Sequence, residues 1–284
     1  MKIKASTEIY GVIGNPVRHS LSPILHNAWI EECGFDAAYL AFEPKPEDFP
    51  LSLKGLAASG IKGLNITAPF KHEAARLATQ KTQDVAIMAA ANTLKIIGEE
   101  IHATNTDGNG LVLHLDEKFK IWRTQTNIVT ILGVGGAASG ILDALLKTGI
   151  KEIRFVGRQI DKCENILALA TQLENTANVD IHYFLWEEIQ HAIEDADLII
   201  NATTIGLKGN GSLVMDFTKT AKNALVYDMV YYPNETDFLK TAKLQNRNCL
   251  NGLGMLVGQA AFAFENWFGT RPNFAHGLKR LMEL

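Results

Sequence analysis

Little in this chain marks it for an oxidising, membrane-bound or nucleic-acid setting. Its three cysteines, Cys33, Cys163 and Cys249, are odd in number, far apart and form no CxxC pair, the usage expected of reduced thiols in a cytoplasmic protein. No two of the eight histidines stand at HxxxH spacing, so the sequence supplies no metal-ligand pattern. No apolar run is long enough to span a bilayer, and the first eight residues lack the hydrophobic core of a signal peptide. With 27 basic residues against 31 acidic ones the formal net charge is −4, which excludes the basic footprint of a nucleic-acid binder. Repeats and low-complexity linkers are also missing. What remains is a soluble cytoplasmic chain of 284 residues, 47% hydrophobic and 20% charged, long enough for two domains and a sizeable core.

The most informative stretch lies near the middle. Residues 128–132 (Ile-Val-Thr-Ile-Leu) form a short apolar run, followed by Gly133-Val134-Gly135-Gly136-Ala137-Ala138-Ser139-Gly140 and a helical stretch over 141–148 that ends at Gly149. Strand, glycine cluster and helix are the parts of a dinucleotide-binding turn. In that reading Gly133 permits the tight turn, Gly135 lets the backbone approach a pyrophosphate, and Ala138 is small enough for helix to pack on strand. The phosphates would rest on N–H groups at the helix N-terminus. An ordinary glycine-rich connection has the same local pattern, so the flanking chain carries the distinction.

From residue 128 onward strands at 128–132, 152–156, 181–184, 198–201, 224–228 and 247–250 alternate with helical material, which predicts a parallel sheet covered on both faces. Arg158 ends the second of these strands, where an arginine accommodates a 2′-phosphate and an acidic residue would bind a ribose hydroxyl. With Lys162 nearby, the position favours NADP.

The N-terminal part reads differently. Residues 9–13 predict a buried strand turning at Gly14-Asn15-Pro16 into a loop with His19, Ser20 and Ser22, then a helix with Ser22 as N-cap, Pro23 in its first turn, an apolar face of Ile24, Leu25, Ala28 and Trp29, and a stop at Gly34. Capping alone accounts for Ser22, but two hydroxyls at a helix start can also hold a carboxylate. A strand at 39–42, a helix at 46–59 and a strand at 61–66 lead to Thr67-Ala68-Pro69-Phe70-Lys71, where Pro69 suits a first helical turn. A lysine there opposes the helix dipole, an arrangement that suits an amine required to release a proton; a solvated surface lysine is the plainer alternative. A hairpin is predicted at 93–97 and 100–104, turned at Gly98-Glu99, with Asn92 just before it. Asp107 precedes a helix at 111–119 and reads either as an N-cap or as a carboxylate aimed across a cleft. Near the end, Gln259 is the polar exception at the start of the apolar stretch 260–268, readable also as a satisfied core glutamine, and this helix is expected to return to the first domain.

Taken together, Gly14-Asn15-Pro16 with His19-Ser20-Leu21-Ser22-Pro23, Asn65-Ile66-Thr67-Ala68-Pro69-Phe70-Lys71, Ala91-Asn92-Thr93, Asn105-Thr106-Asp107-Gly108, Gly133 to Ala137, Tyr227-Asp228-Met229-Val230-Tyr231 and Gly252-Leu253-Gly254-Met255-Leu256-Val257 closely resemble the shikimate dehydrogenase family, in the right order and over nearly the whole chain. The resemblance implies an α/β protein of two domains. One is an N-terminal α/β substrate domain, 1–106, completed by the C-terminal helices of 252–284. The other is a doubly wound Rossmann domain, 107–251, that binds NADP. It implies reversible NADPH-dependent reduction of 3-dehydroshikimate to shikimate on the route to chorismate and aromatic amino acids, in a chain that often forms a homodimer.

Carried to matching positions, the resemblance makes Lys71 and Asp107 the catalytic pair. It makes Ser20 and Ser22, with Tyr231, the grip on the substrate carboxylate, and gives Asn65, Thr67, Asn92, Asp107 and Gln259 the ring hydroxyls. Gly133, Val134, Gly135, Gly136, Ala137, Arg158, Met229 and Gly252 would meet the cofactor. The chain departs from the family at Gly157 and Gln159, where Asn and Thr commonly flank the arginine, at Lys162, where a second arginine is frequent, and at Ser139, where a basic residue often follows the glycine loop. Arg158 is kept, and still favours NADP over NAD. A paralogue preferring quinate or an amino-shikimate and a non-catalytic dinucleotide-binding protein are the other readings; the latter would call for a broken catalytic pair, whereas Lys71 and Asp107 are both present.

Overall fold

The computed structural model describes residues 3–173 and 178–284. The chain divides into two units, Met1–Gly110 with Val257–Leu284, and Leu111–Leu256. Two helices, Asp107–Lys118 and Leu253–Phe268, carry the backbone from one unit to the other, so both boundaries fall inside helices, a few residues beyond the 106/107 and 251/252 junctions read from sequence. Asp107 therefore belongs to the same unit as Lys71.

The first unit is built on a six-stranded sheet. Its strands are β1 (Glu8–Ile13), β2 (Ala37–Phe42), β3 (Gly63–Ile66), β4 (Gln80–Lys81), β5 (Thr93–Ile97) and β6 (Glu100–Thr104), in the order β2-β1-β3-β5-β6-β4. Only β5 runs against the others, because the tight turn at Gly98, in the left-handed region at φ 62°, folds the chain straight back into β6. On one side Phe49 stacks on Phe70 at 4.3 Å among Ile13, Leu53, Leu64 and Ile66. The helix Leu253–Phe268 places Trp267 against β3, its indole N–H donating to the Leu94 carbonyl at 2.9 Å. Gly63 is the counterpart of that ring: a Cβ at Gly63 would overlap the indole. Gly63→Ala is accordingly expected to lower stability by about 1–3 kcal/mol through overpacking, read as an earlier urea midpoint with an unchanged slope.

The second unit carries β7 (Ile128–Leu132), β8 (Glu152–Gly157), β9 (Asp180–Leu185), β10 (Leu198–Asn201), β11 (Leu225–Asp228) and β12 (Asn248–Leu250), all parallel, in the order β12-β11-β10-β7-β8-β9. This is the doubly wound order of a dinucleotide-binding sheet, with the direction of winding reversing between β7 and β10. Ile131 lies between Phe155 of β8 and Ile200 of β10, all three fully buried, which is why these strands read as continuous apolar runs.

Several local expectations need correction. Ser22 is not an N-cap: the helix Ser22–Cys33 starts at Ser22 itself, Leu21 occupies the cap position, and no side chain caps the helix. Ile24 is exposed and does not join the apolar face of Leu25, Ala28 and Trp29, since it lies one residue off the buried stripe. Pro69 stands before the helix, in a cis peptide with Ala68, and Lys71 is the first residue of Lys71–Leu77. The helices predicted at 111–119 and 141–148 begin earlier, at Asp107 and Gly136, because glycine-rich first turns carry no apolar helical pattern in the sequence.

Candidate active site

Lys71 and Asp107 each open a helix, and the two helix starts bring their side chains together: the Lys71 ammonium donates to Asp107 Oδ2 at 2.5 Å. The pair is largely enclosed, with side-chain exposures of 23% and 9%, so solvent screens it far less than a surface ion pair. Asp107 is not an N-cap. Its second oxygen accepts from Asn92 Nδ2 at 2.8 Å, and the turn into the helix is made by Asn105, whose side-chain oxygen accepts the Asp107 N–H at 3.0 Å.

Asn92, immediately before β5, is oriented by a backbone donor: its Oδ1 accepts the Thr106 N–H at 2.8 Å and the Thr93 hydroxyl at 2.9 Å. That orientation turns its amide nitrogen toward Asp107, Thr106 Oγ1 at 3.0 Å and Gln259 Oε1 at 3.3 Å, three acceptors for two hydrogens. Gln259 is thus drawn to the Lys71–Asp107 pair, and its backbone carbonyl accepts the Thr106 hydroxyl at 3.0 Å. Asn65, at the end of β3, donates to Thr93 Oγ1 at 3.2 Å and accepts the Tyr39 hydroxyl at 2.7 Å. Lys71, Asp107, Asn92, Gln259 and Asn65 therefore form one hydrogen-bonded group within the first unit.

Three other expected positions lie in the same unit. Ser20 is half-buried in the loop before the first helix, with its hydroxyl accepting the Ser22 N–H at 3.3 Å; Ser22 is buried near the Tyr39 hydroxyl. Thr67, half-buried just past β3, packs its methyl against Gly14, where no Cβ would fit. Sequence reading passed over Tyr39, Thr93 and Thr106 in this role. Tyr39 and Thr93 read as core strand residues, and no local spacing announces a bond spanning 26 residues such as Tyr39 to Asn65.

The remaining positions belong to the second unit. Gly133 follows β7 in a left-handed conformation, φ 107°, with Ala202 and Thr203 at the end of β10 packed close against it. It therefore marks the point where the sheet reverses its winding, the usual seat of a ligand in such sheets. Gly135 needs neither its conformation, φ −97°, nor its size for packing, because a side chain there would meet nothing within 4 Å. Open ground at a helix start suits the close approach of a phosphate group. Val134, Gly136 and Ala137 complete the turn, and Ala138 is fully buried, as close packing of helix on strand requires. Arg158 is exposed just past β8, with Lys162 exposed in the following turn. Gly157 has no room for the more common asparagine: a Cβ would run into the Cys163 thiol and Val134. Gly252 is held equally tightly over the Met229 backbone, its N–H donating to the Val230 carbonyl at 3.1 Å. Tyr231 is half-buried three residues past β11, and burial raises its phenol.

A family model described as the shikimate dehydrogenase substrate binding domain matches residues 12–94, one for shikimate / quinate 5-dehydrogenase matches 115–211, and one for the shikimate 5'-dehydrogenase C-terminal domain matches 252–282. A shikimate dehydrogenase (NADP(+)) of Bartonella tribocorum is 39% identical over 272 residues, spanning 94% of this chain and 91% of its own. The chain belongs to the shikimate dehydrogenase family. Among solved structures of the family, a shikimate dehydrogenase in complex with NADP+ superimposes with a TM-score of 0.86 at 33% identity, covering 99% of this chain and 97% of the other. The Thermus thermophilus shikimate 5-dehydrogenase in complex with NADP(H) and shikimate gives 0.82 at 26% identity, over 98% of this chain and 99% of its own. Among the described residues of this family member, no group of His, Cys, Asp and Glu could hold a metal ion.

Proposed function

We propose that this chain catalyses the reversible, NADPH-dependent reduction of 3-dehydroshikimate to shikimate on the route to chorismate. The observation that carries the reading is the enclosed Lys71–Asp107 contact, framed by Asn92 and Gln259. NADPH supplies the hydride when bound. Reduction of the ketone leaves negative charge on its oxygen, and Lys71 is the donor that delivers a proton there; such general acid help is worth about 10²–10⁴ in rate. In the oxidation direction the same nitrogen takes the hydroxyl proton. Asp107 fixes the lysine and accepts from a substrate hydroxyl, while Asn65, Thr67, Asn92 and Gln259 bond the ring hydroxyls. Ser20 and Ser22 hold the carboxylate with neutral donors, with Tyr231 as a third. Such a site rejects analogues lacking a hydroxyl, because its own buried groups would be left unpaired.

The first unit is thus the substrate domain and the second the NADP domain. Gly133 to Ala137, with Met229 and Gly252, would line the dinucleotide, and Arg158 with Lys162 would meet the 2′-phosphate. The reading keeps the cytoplasmic setting, and the homodimer that members of the family often form, as implications of the resemblance; no helix among the described residues is long and apolar enough to cross a membrane. The test follows NADPH absorbance with shikimate and with quinate, each with NADP+ and NAD+. Higher kcat/KM for quinate would overturn the substrate assignment. Arg158→Ala is expected to raise KM for NADP+ about tenfold or more while leaving KM for NAD+ nearly unchanged; equal effects on both would remove Arg158 from phosphate binding.

A further inference from the structure

Tyr39 is pinned from three directions. Its backbone N–H donates to Asn27 Oδ1 and its carbonyl accepts from Asn27 Nδ2, both at 2.9 Å. Its ring lies flat on His26, with centroids 4.2 Å apart and planes 3° from parallel. Its hydroxyl, fully buried, donates to Asn65 Oδ1 at 2.7 Å. Burial keeps the phenol protonated far above neutral pH, so it remains a donor.

That bond sets the direction of the hydrogen bonds made by Asn65, the first links of a series that ends at Asp107. With Oδ1 occupied by the phenol, the Asn65 amide must present its N–H₂ to Thr93 Oγ1 at 3.2 Å; Thr93, having accepted, donates to Asn92 Oδ1 at 2.9 Å; Asn92 donates to Asp107 Oδ1 at 2.8 Å. Each donor from Tyr39 onward points toward the carboxylate, an arrangement in which successive bonds polarise one another. The two ends of the series are secured differently. Asn92 has the Thr106 backbone N–H to hold it, whereas beyond Tyr39 and Thr93 the Asn65 amide meets the Asn92 carbonyl only at 3.4 Å, the limit of a hydrogen bond, and the nearby His26 ring lies outside hydrogen-bond geometry.

We infer that Tyr39 is a positioning residue for the reaction: its hydroxyl locks the Asn65 amide in one of its two orientations and so determines which groups Asn65 can offer to a substrate hydroxyl. The inference rests on the shikimate reading given above. Without the phenolic donor the amide can turn over, presenting a carbonyl where a donor is required, while Asn92 and Asp107 stay in place.

The test is Tyr39→Phe, which keeps the ring and its stack on His26, assayed beside wild type and Thr93→Val, with shikimate and with analogues lacking one ring hydroxyl each. Tyr39→Phe is expected to raise KM for shikimate roughly tenfold, as for one lost bond to a buried polar group, with kcat within about threefold and KM for NADP+ unchanged. The variant's preference for shikimate over the one analogue that lacks the Asn65-bonded hydroxyl should shrink by a similar factor, with the other preferences kept. Thr93→Val, which cuts the series on the Asp107 side, is expected to lower kcat as well. Unchanged KM and unchanged selectivity in Tyr39→Phe overturn the inference, as does a uniform loss of kcat, both KM values and melting temperature, which would mark a purely structural tyrosine. A wild-type enzyme inert toward shikimate overturns the underlying reading instead, and the inference with it.

Discussion

Lys71→Ala is expected to reduce kcat for shikimate oxidation by about 10²–10⁴, the range for loss of a positioned proton-transfer group, with KM for NADP+ staying within about twofold. The expectation comes from placement. Lys71 lies in the first unit with Asp107, Asn92 and Gln259, while the glycine turn and Arg158 lie in the second. Removing the amine leaves Asp107 with the Asn92 donor at 2.8 Å, so the carboxylate remains partly satisfied and the fold should survive. Steady-state kinetics with both substrates varied provide the check, and turnover near the wild-type rate would take Lys71 out of the chemistry.

Acid should weaken the protein through two buried histidines. Burial pushes His26 down from 6.5 to about 3, with the nearby Asn65 amide opposing it in part, although neither ring nitrogen has a partner at hydrogen-bond geometry. His114, bonded through Nδ1 to the Tyr227 hydroxyl at 2.8 Å, is pushed to about 4, by burial first and Lys118 second. For a base whose folded value is lowered, the unfolded chain takes up protons first, so stability is full above about 6.5 and falls as pH drops toward the folded values. Between pH 7 and pH 5 each histidine then costs about 2 kcal/mol, about 4 kcal/mol together. Urea unfolding at the two pH values measures the sum, and His26→Phe, which keeps an aromatic ring against Tyr39 and cannot ionise, is expected to halve the loss. An equally steep decline in that variant would assign the acid sensitivity to other groups.

The sheet of the second unit was legible because buried parallel strands announce themselves as apolar runs: β10 was read at its observed limits, and so were both strands of the hairpin β5–β6 around Gly98. β4 was not read, since two exposed residues, Gln80 and Lys81, carry no periodicity. Helix starts were misplaced wherever glycine or serine led the helix, as at Gly136 and Ser22, because local propensity there yields to tertiary contacts. The candidate site residues are legible only through their motifs, which name positions without showing what holds them. The supports of those side chains, Tyr39 beneath Asn65 and the Thr106 backbone behind Asn92, are bonds between distant segments and have no trace in the linear order.

The crossing between the units bears on how the molecule could be rebuilt. Where the chain leaves the first unit at Gly110 and re-enters it at Val257, the two passages run so close that a Cβ on Gly258 would strike the Gly110 backbone. The second unit is thus inserted through a single doorway, and an insertion whose ends are neighbours is the kind that evolution and engineers exchange most readily. A graft bringing a different coenzyme preference would keep Asp107 and Gln259 if its seams fell after Gly110 and before Val257, and would need glycine retained at 258.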